Sequence, residues 1–187
     1  MLIRPETPVD VGAVREVVAA AFGDHADHVL TMLDALRGDP AWVDGLSLVA
    51  VEDAPHDEPG GTDTVVGHVL LTRVTITSAR GPVPALTLSP LAVAPDAQRR
   101  GIGTALVAVA LDAASAAGWP LVLLEGDPRY YGRRGFVAAE PLGLASPSPL
   151  IPTGAWQVAL LPAHEPWMTG PTTLSAPLLA INDEPRV

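Results

Sequence analysis

Residues 86–106 read LTLSPLAVAPDAQRRGIGTAL, and this stretch decides the fold. Apolar residues from Ala85 to Val93 predict a strand, a turn follows at Ala94-Pro95-Asp96, and a helix opens at a loop bearing Gly101 and Gly103. The first amides of a helix have no partner inside it, and they point outward along its axis. Together with the helix dipole they favour an anion, and glycine lets that anion approach the main chain closely. Two well-known phosphate loops do not fit. The dinucleotide pattern fails because its third glycine position is Leu106, and a Walker loop fails because the chain contains no Lys. Pro90 lies inside the predicted strand, where it cannot donate to a ladder, so a bulge or a splay is expected at Ser89-Pro90.

Downstream, Gly101 to Gly118 reads as a helix apolar nearly all round and therefore buried, and Pro120 to Leu124 as a short parallel-type strand. A short helix at Pro128 to Arg134 comes next, and Phe136–Ala138, Trp156–Leu161 and Thr172–Ile181 are candidate strands. The Pro- and Ser-rich stretch Pro141 to Pro152 reads as a surface loop. Upstream, Leu2 to Arg4 predicts a first strand, and Thr7-Pro8-Val9-Asp10 supplies a cap, a proline and an acid for a helix reaching Phe22. A second helix carries Ala26, Val29, Leu30, Leu33 and Leu36 and ends near Gly38. Strands Leu46–Val51, Thr64–Thr77 and Ala85–Val93 then form an antiparallel meander, with turns at Asp53–Asp63 and Arg80–Pro84.

The chain has 187 residues, which predicts one domain over residues 1–187. All 11 basic residues are Arg against 21 acids, giving a net charge of −10. Lacking Lys and Cys, the protein has no Schiff-base lysine, thiol nucleophile, disulfide or thiolate metal site. The charge is uneven: residues 1–97 carry 5 Arg and 14 acids, residues 98–135 carry 5 Arg and 3 acids, and the remainder carry 1 Arg and 4 acids. One mildly basic window in an acidic chain suits a small polyanion and argues against nucleic acid, which needs an extended basic face. No apolar signal core opens the sequence, and the apolar stretch Ala105–Leu124 is interrupted by Asp112, Ser115 and Pro120, so a cytoplasmic location without a membrane is expected.

Gln98-Arg99-Arg100-Gly101-Ile102-Gly103 resembles the pyrophosphate-loop signature of the Gcn5-related N-acetyltransferase (GNAT) family. Gly126-Asp127-Pro128-Arg129-Tyr130-Tyr131 running into Gly135-Phe136 resembles that family's tyrosine-bearing helix and following strand, in the form of a subgroup of predicted N-acetyltransferases. The specific likeness covers about residues 86–138. It implies an α/β acyl-CoA N-acyltransferase fold, with a mixed central sheet splayed between its fourth and fifth strands and flanked by helices. It also implies acetyl-CoA as co-substrate, with no metal, an amine acceptor, and a homodimer through the late strands.

The resemblance places Leu91, Ala92 and Val93 beside the pantetheine arm. Gln98, Arg99, Arg100, Gly101, Ile102, Gly103 and Thr104 surround the pyrophosphate. Tyr131, with Tyr130 as its rival, matches the general acid that protonates the departing thiolate. The predicted fourth strand contains no carboxylate, a departure from family members that place a glutamate there, so the base is left among Glu125, Asp127, His68 and water. Asp127 before Pro128 also reads as a helix cap, and Glu125 as a turn residue. Arg133 and Arg134 stand between a nucleotide phosphate and plain surface; Trp156 and Trp167 stand between an acceptor pocket and core. His25 and His28 read as a solvated helix end. The rival function is a non-catalytic acyl-CoA sensor.

Overall fold

The computed structural model describes residues 1–52 and 64–182; the turn expected at Asp53–Asp63 lies outside them. Strand β1 (Leu2–Pro5) leads through a 3-10 turn into helices α1 (Val11–Phe22) and α2 (Ala26–Arg37), followed by β2 (Trp42–Glu52), β3 (Thr64–Ser78) and β4 (Gly81–Val93). Next come α3 (Ile102–Ala116), β5 (Leu121–Glu125), α4 (Pro128–Tyr131), β6 (Val137–Ala138), β7 (Leu144–Ala145), β8 (Trp156–Leu160), β9 (Gly170–Thr173) and α5 (Ala176–Asn182). The sheet runs β1-β2-β3-β4-β5-β8-β6, with β9 on β3 and β7 on β9. Among the described residues no helix is long and apolar enough to cross a membrane.

Strand alternation sends side chains to two faces, and each face buries a different helical layer. Val49, Ile76, Leu121 and Leu123 pack with Val14, Leu33 and Leu178 of α1, α2 and α5. Leu48, Leu71, Val122 and Leu124 pack with Leu106 and Val107 of α3. Helix α3 is buried along one stripe only, Ile102, Leu106, Val107, Ala110 and Ala114. The expectation of burial all round is therefore corrected: Ala108 on its outer side is exposed, a small residue that costs little there.

Three other expectations are corrected. Thr172–Ile181 is not one strand: β9 ends at Thr173 and α5 begins at Ala176, with the amides of Leu178 and Leu179 bonded to the Ser175 carbonyl. Pro177 in the first helical turn, where an N–H is not needed, explains the switch. The turn assigned to Arg80–Pro84 is shorter, and Pro82 and Pro84 belong to β4, paired with Thr77 and Thr75. Counting from the Ser78–Gly81 closing pair, both prolines fall on positions whose nitrogen faces away from β3, before β5 begins to pair. Residues 141–152 are not merely surface loop, since Leu144 and Ile151 are buried and β7 pairs with β9.

A buried polar cluster joins the start of the chain to the sheet. Glu6 ion-pairs with Arg37 at 2.6 Å and accepts a hydrogen bond from Ser47, whose hydroxyl lies 2.9 Å from His68 Nε2. Burial alone raises the Glu6 carboxyl, but hydrogen bonds from His68, Ser47 and Arg37 outweigh it and hold its pKa at about 2. The folded value lies below the ordinary 4.5, so the stability contributed by ionised Glu6 is complete above that pH and is lost as pH falls toward 2. Glu6→Gln is expected to lower stability at pH 7 by about 3 kcal/mol, leaving Arg37 without its charge partner. Its urea-unfolding free energy should also vary less with pH below 4.5 than that of the wild type; equal slopes would remove Glu6 from the acid response.

Candidate active site

Strand β4 is where the sheet opens. Its parallel pairing with β5 consists of Leu86–Val122 and Thr87–Leu123 and stops there, while β4 continues six residues further to Val93. In the β3–β4 ladder, Val69 faces Leu91 and Leu71 faces Leu88, so β4 carries one extra residue at Ser89-Pro90. This is the bulge that Pro90 foretold. From Leu88 onward one edge of β4 stands without a neighbouring strand, leaving main-chain groups open to a ligand.

The loop after β4 turns on two left-handed residues, Arg99 with φ 61° and Gly101 with φ 86°. A left-handed arginine costs on the order of 1 kcal/mol, and such strain is held where surrounding structure imposes it. Gln98 Nε2 donates to the Val93 carbonyl at 3.1 Å and ties the loop to the strand end. Gly101 then accepts the first helical bond, from the Ala105 amide, so the amides of Ile102, Gly103 and Thr104 precede the helical ladder. Amides so placed suit an anion.

The tyrosine segment packs against this loop from the other side. Asp127 caps α4, accepting from the Arg129 amide at 2.8 Å and from its guanidinium; these bonds draw its carboxyl below the usual range. It is therefore engaged as a cap, the structural alternative the sequence left open. Tyr130 lies with its hydroxyl over Gly103: a Cβ there would come within 2.5 Å of the oxygen. The Arg134 guanidinium covers the Tyr130 ring at 3.4 Å and donates to Thr104 Oγ1 and the Tyr130 carbonyl. Tyr131 packs edge-on to Phe136, 5.6 Å between ring centres, and presses on Gly126. Burial, aided by neighbouring Tyr130 and only partly offset by Arg134, pushes the Tyr131 phenol up to about 12. It remains a proton donor throughout the neutral and mildly alkaline range.

Two cavities, of 410 and 480 Å³, open on either side of Tyr131. The larger runs along Leu91, Val93, Gln98, Arg99 and the α3 N-terminus. The smaller lies in the splay, with Leu88, Glu125 and Trp156 in its wall. Phe22, Leu91 and Tyr131 line both, so the two cavities adjoin at these three residues. An elongated anionic molecule in one can present its end to a second molecule in the other.

Of the residues singled out from sequence, Leu91, Val93, Gln98, Arg99, Gly101, Ile102, Gly103, Thr104, Tyr130, Tyr131 and Arg134 line the larger cavity, and Leu91, Glu125, Tyr131 and Trp156 line the smaller. Ala92 is buried and lines neither cavity; its main chain pairs with His68 of β3, in step with the Ala94 amide on the Val66 carbonyl, so the open edge belongs to Leu91 and Val93. Arg100 turns away and pairs with Glu52 of β2. His68 is enclosed in the Glu6 cluster, and Trp167 bonds Glu165 beneath the Arg80 guanidinium; neither lines either of these two cavities. Sequence reading missed Phe22, Met32, Leu174 and Leu178 as cavity walls, and Gln157, whose amide donates to the Gly126 carbonyl at 2.9 Å. No local signal marks them: the apolar ones read as core, and Gln157 as an ordinary strand residue, until α1, α2, β8 and α5 are brought together.

Comparison with known proteins gives the arrangement a context. The family model described as acetyltransferase (GNAT) domain matches residues 2–139. The uncharacterized N-acetyltransferase YjhQ of Escherichia coli (strain K12) is 31% identical over 166 residues, 86% of this chain and 84% of that protein. The crystal structure of the GNAT family N-acetyltransferase YhbS from Escherichia coli in complex with CoA superposes with a TM-score of 0.79 and 26% identity, covering 95% of this chain and 91% of that one. A GNAT family acetyltransferase from Brucella melitensis in complex with acetyl-CoA gives a TM-score of 0.70 and 28% identity, with 95% and 97% covered.

Proposed function

The chain belongs to the GNAT acetyltransferase family, and from that premise we propose that it transfers the acetyl group of acetyl-CoA to a primary amine by direct attack within a ternary complex. The observation that carries this reading is that Tyr131, whose burial favours the protonated phenol, lines both adjoining cavities. Acetyl-CoA supplies the acyl group as a thioester. The residues present fit it: the left-handed turn at Arg99 and Gly101 and the amides of Ile102, Gly103 and Thr104 suit a pyrophosphate, with the Arg99 guanidinium beside them. The main chain of Leu91 and Val93 offers hydrogen-bonding groups to the pantetheine amides along the uncovered edge of β4, while that of Ala92 faces β3.

Chemistry then divides between two side chains. The amine nitrogen forms its bond to the acetyl carbon as the carbon–sulfur bond breaks. Tyr131 gives its phenolic proton to the departing sulfur, and Glu125, across the smaller cavity, takes the proton that the amine must lose. Two partners held together at one point supply most of the advantage through orientation. The absence of Cys agrees with attack without a thiol acyl-enzyme.

The reading is tested by thermal unfolding and thiol release. Acetyl-CoA at about 100 times its Kd is expected to raise the Tm by roughly 5–10 °C, and an accepted amine should then release free thiol. No thermal shift would remove the acetyl-CoA site; a shift without thiol from any amine would make the protein a sensor.

A further inference from the structure

We infer that the acceptor is a primary monoamine carried on a compact apolar body, such as an arylalkyl- or alkylamine, and not a polyamine, an aminoglycoside or a basic peptide. This rests on the acetyl-transfer reading above and deepens it by naming the class of amine. The smaller cavity is mainly apolar, with Thr87, Ser89, Glu125 and Tyr131 as its polar side chains. Phe22 at the end of α1, Met32 on α2, Trp156 on β8, Leu174 between β9 and α5, and Leu178 in the first turn of α5 form the apolar part of its wall. Among the described residues that line it, Glu125 alone carries a charge.

The position of that one carboxylate fixes where an ammonium can sit. Glu125 faces Trp156 directly across the β5–β8 ladder, so the two side chains lie on the same side of the sheet, within about 5 Å of each other. An ammonium beside Glu125 also lies next to an indole ring, a second favourable contact for a cation. Tyr131 lines the same cavity, so a nitrogen held there is next to the acid that serves the leaving group. A second ammonium on the same molecule has no such partner. It would shed its water among Phe22, Met32 and Leu178, where an unpaired charge is strongly disfavoured. The acidic surface invites polycations from the sequence alone, yet exposed acids such as Asp24, Asp27 and Asp34 do not line the cavity.

The volume of 410 Å³ and the apolar wall make the body of the substrate the main source of selectivity. Each methylene moved from water to such a wall improves binding by about threefold to fourfold. Selectivity should therefore rise along a series of n-alkylamines until the cavity is full.

The test measures binding apart from turnover. Calorimetric titrations of the coenzyme A-loaded protein with ethylamine, n-hexylamine, 2-phenylethylamine, spermidine and an aminoglycoside are run beside thiol-release assays with acetyl-CoA. At least tenfold tighter binding of n-hexylamine and 2-phenylethylamine than of ethylamine and spermidine is expected. Leu178→Glu should narrow or reverse the preference over spermidine, and the wild-type series decides the matter if that variant does not fold. Tighter binding of spermidine or the aminoglycoside, or no binding of the apolar amines, overturns the inference. The two readings separate cleanly. Apolar amines that bind but release no thiol leave the cavity's selectivity standing and remove acetyl transfer; thiol release led by spermidine does the reverse.

Discussion

Tyr131→Phe is expected to lower kcat by about 10²- to 10³-fold, which corresponds to about 3–4 kcal/mol of transition-state stabilisation. The ring stays in place against Gly126 and Phe136, so the cavities keep their shape and the Kd for acetyl-CoA should change less than threefold. Only the transferable proton is lost. Steady-state kinetics with thiol detection, combined with calorimetric titration of acetyl-CoA, checks both halves; unchanged turnover would exclude Tyr131 as the acid. The pH profile adds a sign. Because burial drives the phenol up to about 12, the wild-type enzyme should keep its acid through pH 10, and any fall in activity below that pH belongs to another group.

Gly126→Ala should reach the same tyrosine by a different route. A Cβ at this position would stand 2.4 and 2.7 Å from two ring carbons of Tyr131, well inside contact distance. The main chain cannot simply move aside. The Gly126 amide donates to the Ala155 carbonyl at 3.0 Å and its carbonyl accepts from Gln157 at 2.9 Å. The ring must therefore shift, and a displacement of about 1 Å at a reacting group costs on the order of 10²-fold in rate. Overpacking should also destabilise the fold by about 1–3 kcal/mol, lowering the Tm by several degrees. A purely structural defect would lower kcat in every background. Positioning predicts instead that Gly126→Ala adds little further loss of kcat to Tyr131→Phe, because the group being positioned is already gone.

Which parts of this site could be read from sequence follows from how its residues are distributed along the chain. The anion loop and the tyrosine turn each occupy one short stretch. Gly101 reports a left-handed turn, Asp127-Pro128 a helix start, and Pro90 a broken ladder, all by local backbone rules. The acceptor side has no such stretch. Phe22, Met32, Trp156 and Leu178 come from four elements, and each obeys the ordinary pattern of a core residue. His68 shows the converse. A histidine in an apolar strand invites a catalytic reading, but its ring is fully buried and lies 3.5 Å from Glu6, which precedes the first helix. The misread C-terminal strand has a local cause, since Leu178 to Ile181 is apolar in succession and only Pro177 marks a helical start.

Strand β2 ends its pairing with β3 at Thr72, and β9 takes over the vacated edge at Thr75 and Ile76. The last forty-odd residues are thereby stitched to the oldest part of the sheet in chain order, outside the span 2–139 that the family model recognises. Three walls of the smaller cavity, Trp156, Leu174 and Leu178, belong to this tail, whereas every residue lining the larger cavity lies before it. One cavity is thus walled before residue 140, whereas the other closes only when β8 enters the sheet between β5 and β6 and α5 follows β9, so removing the tail should open the smaller cavity and leave the loop around Gly101 in place.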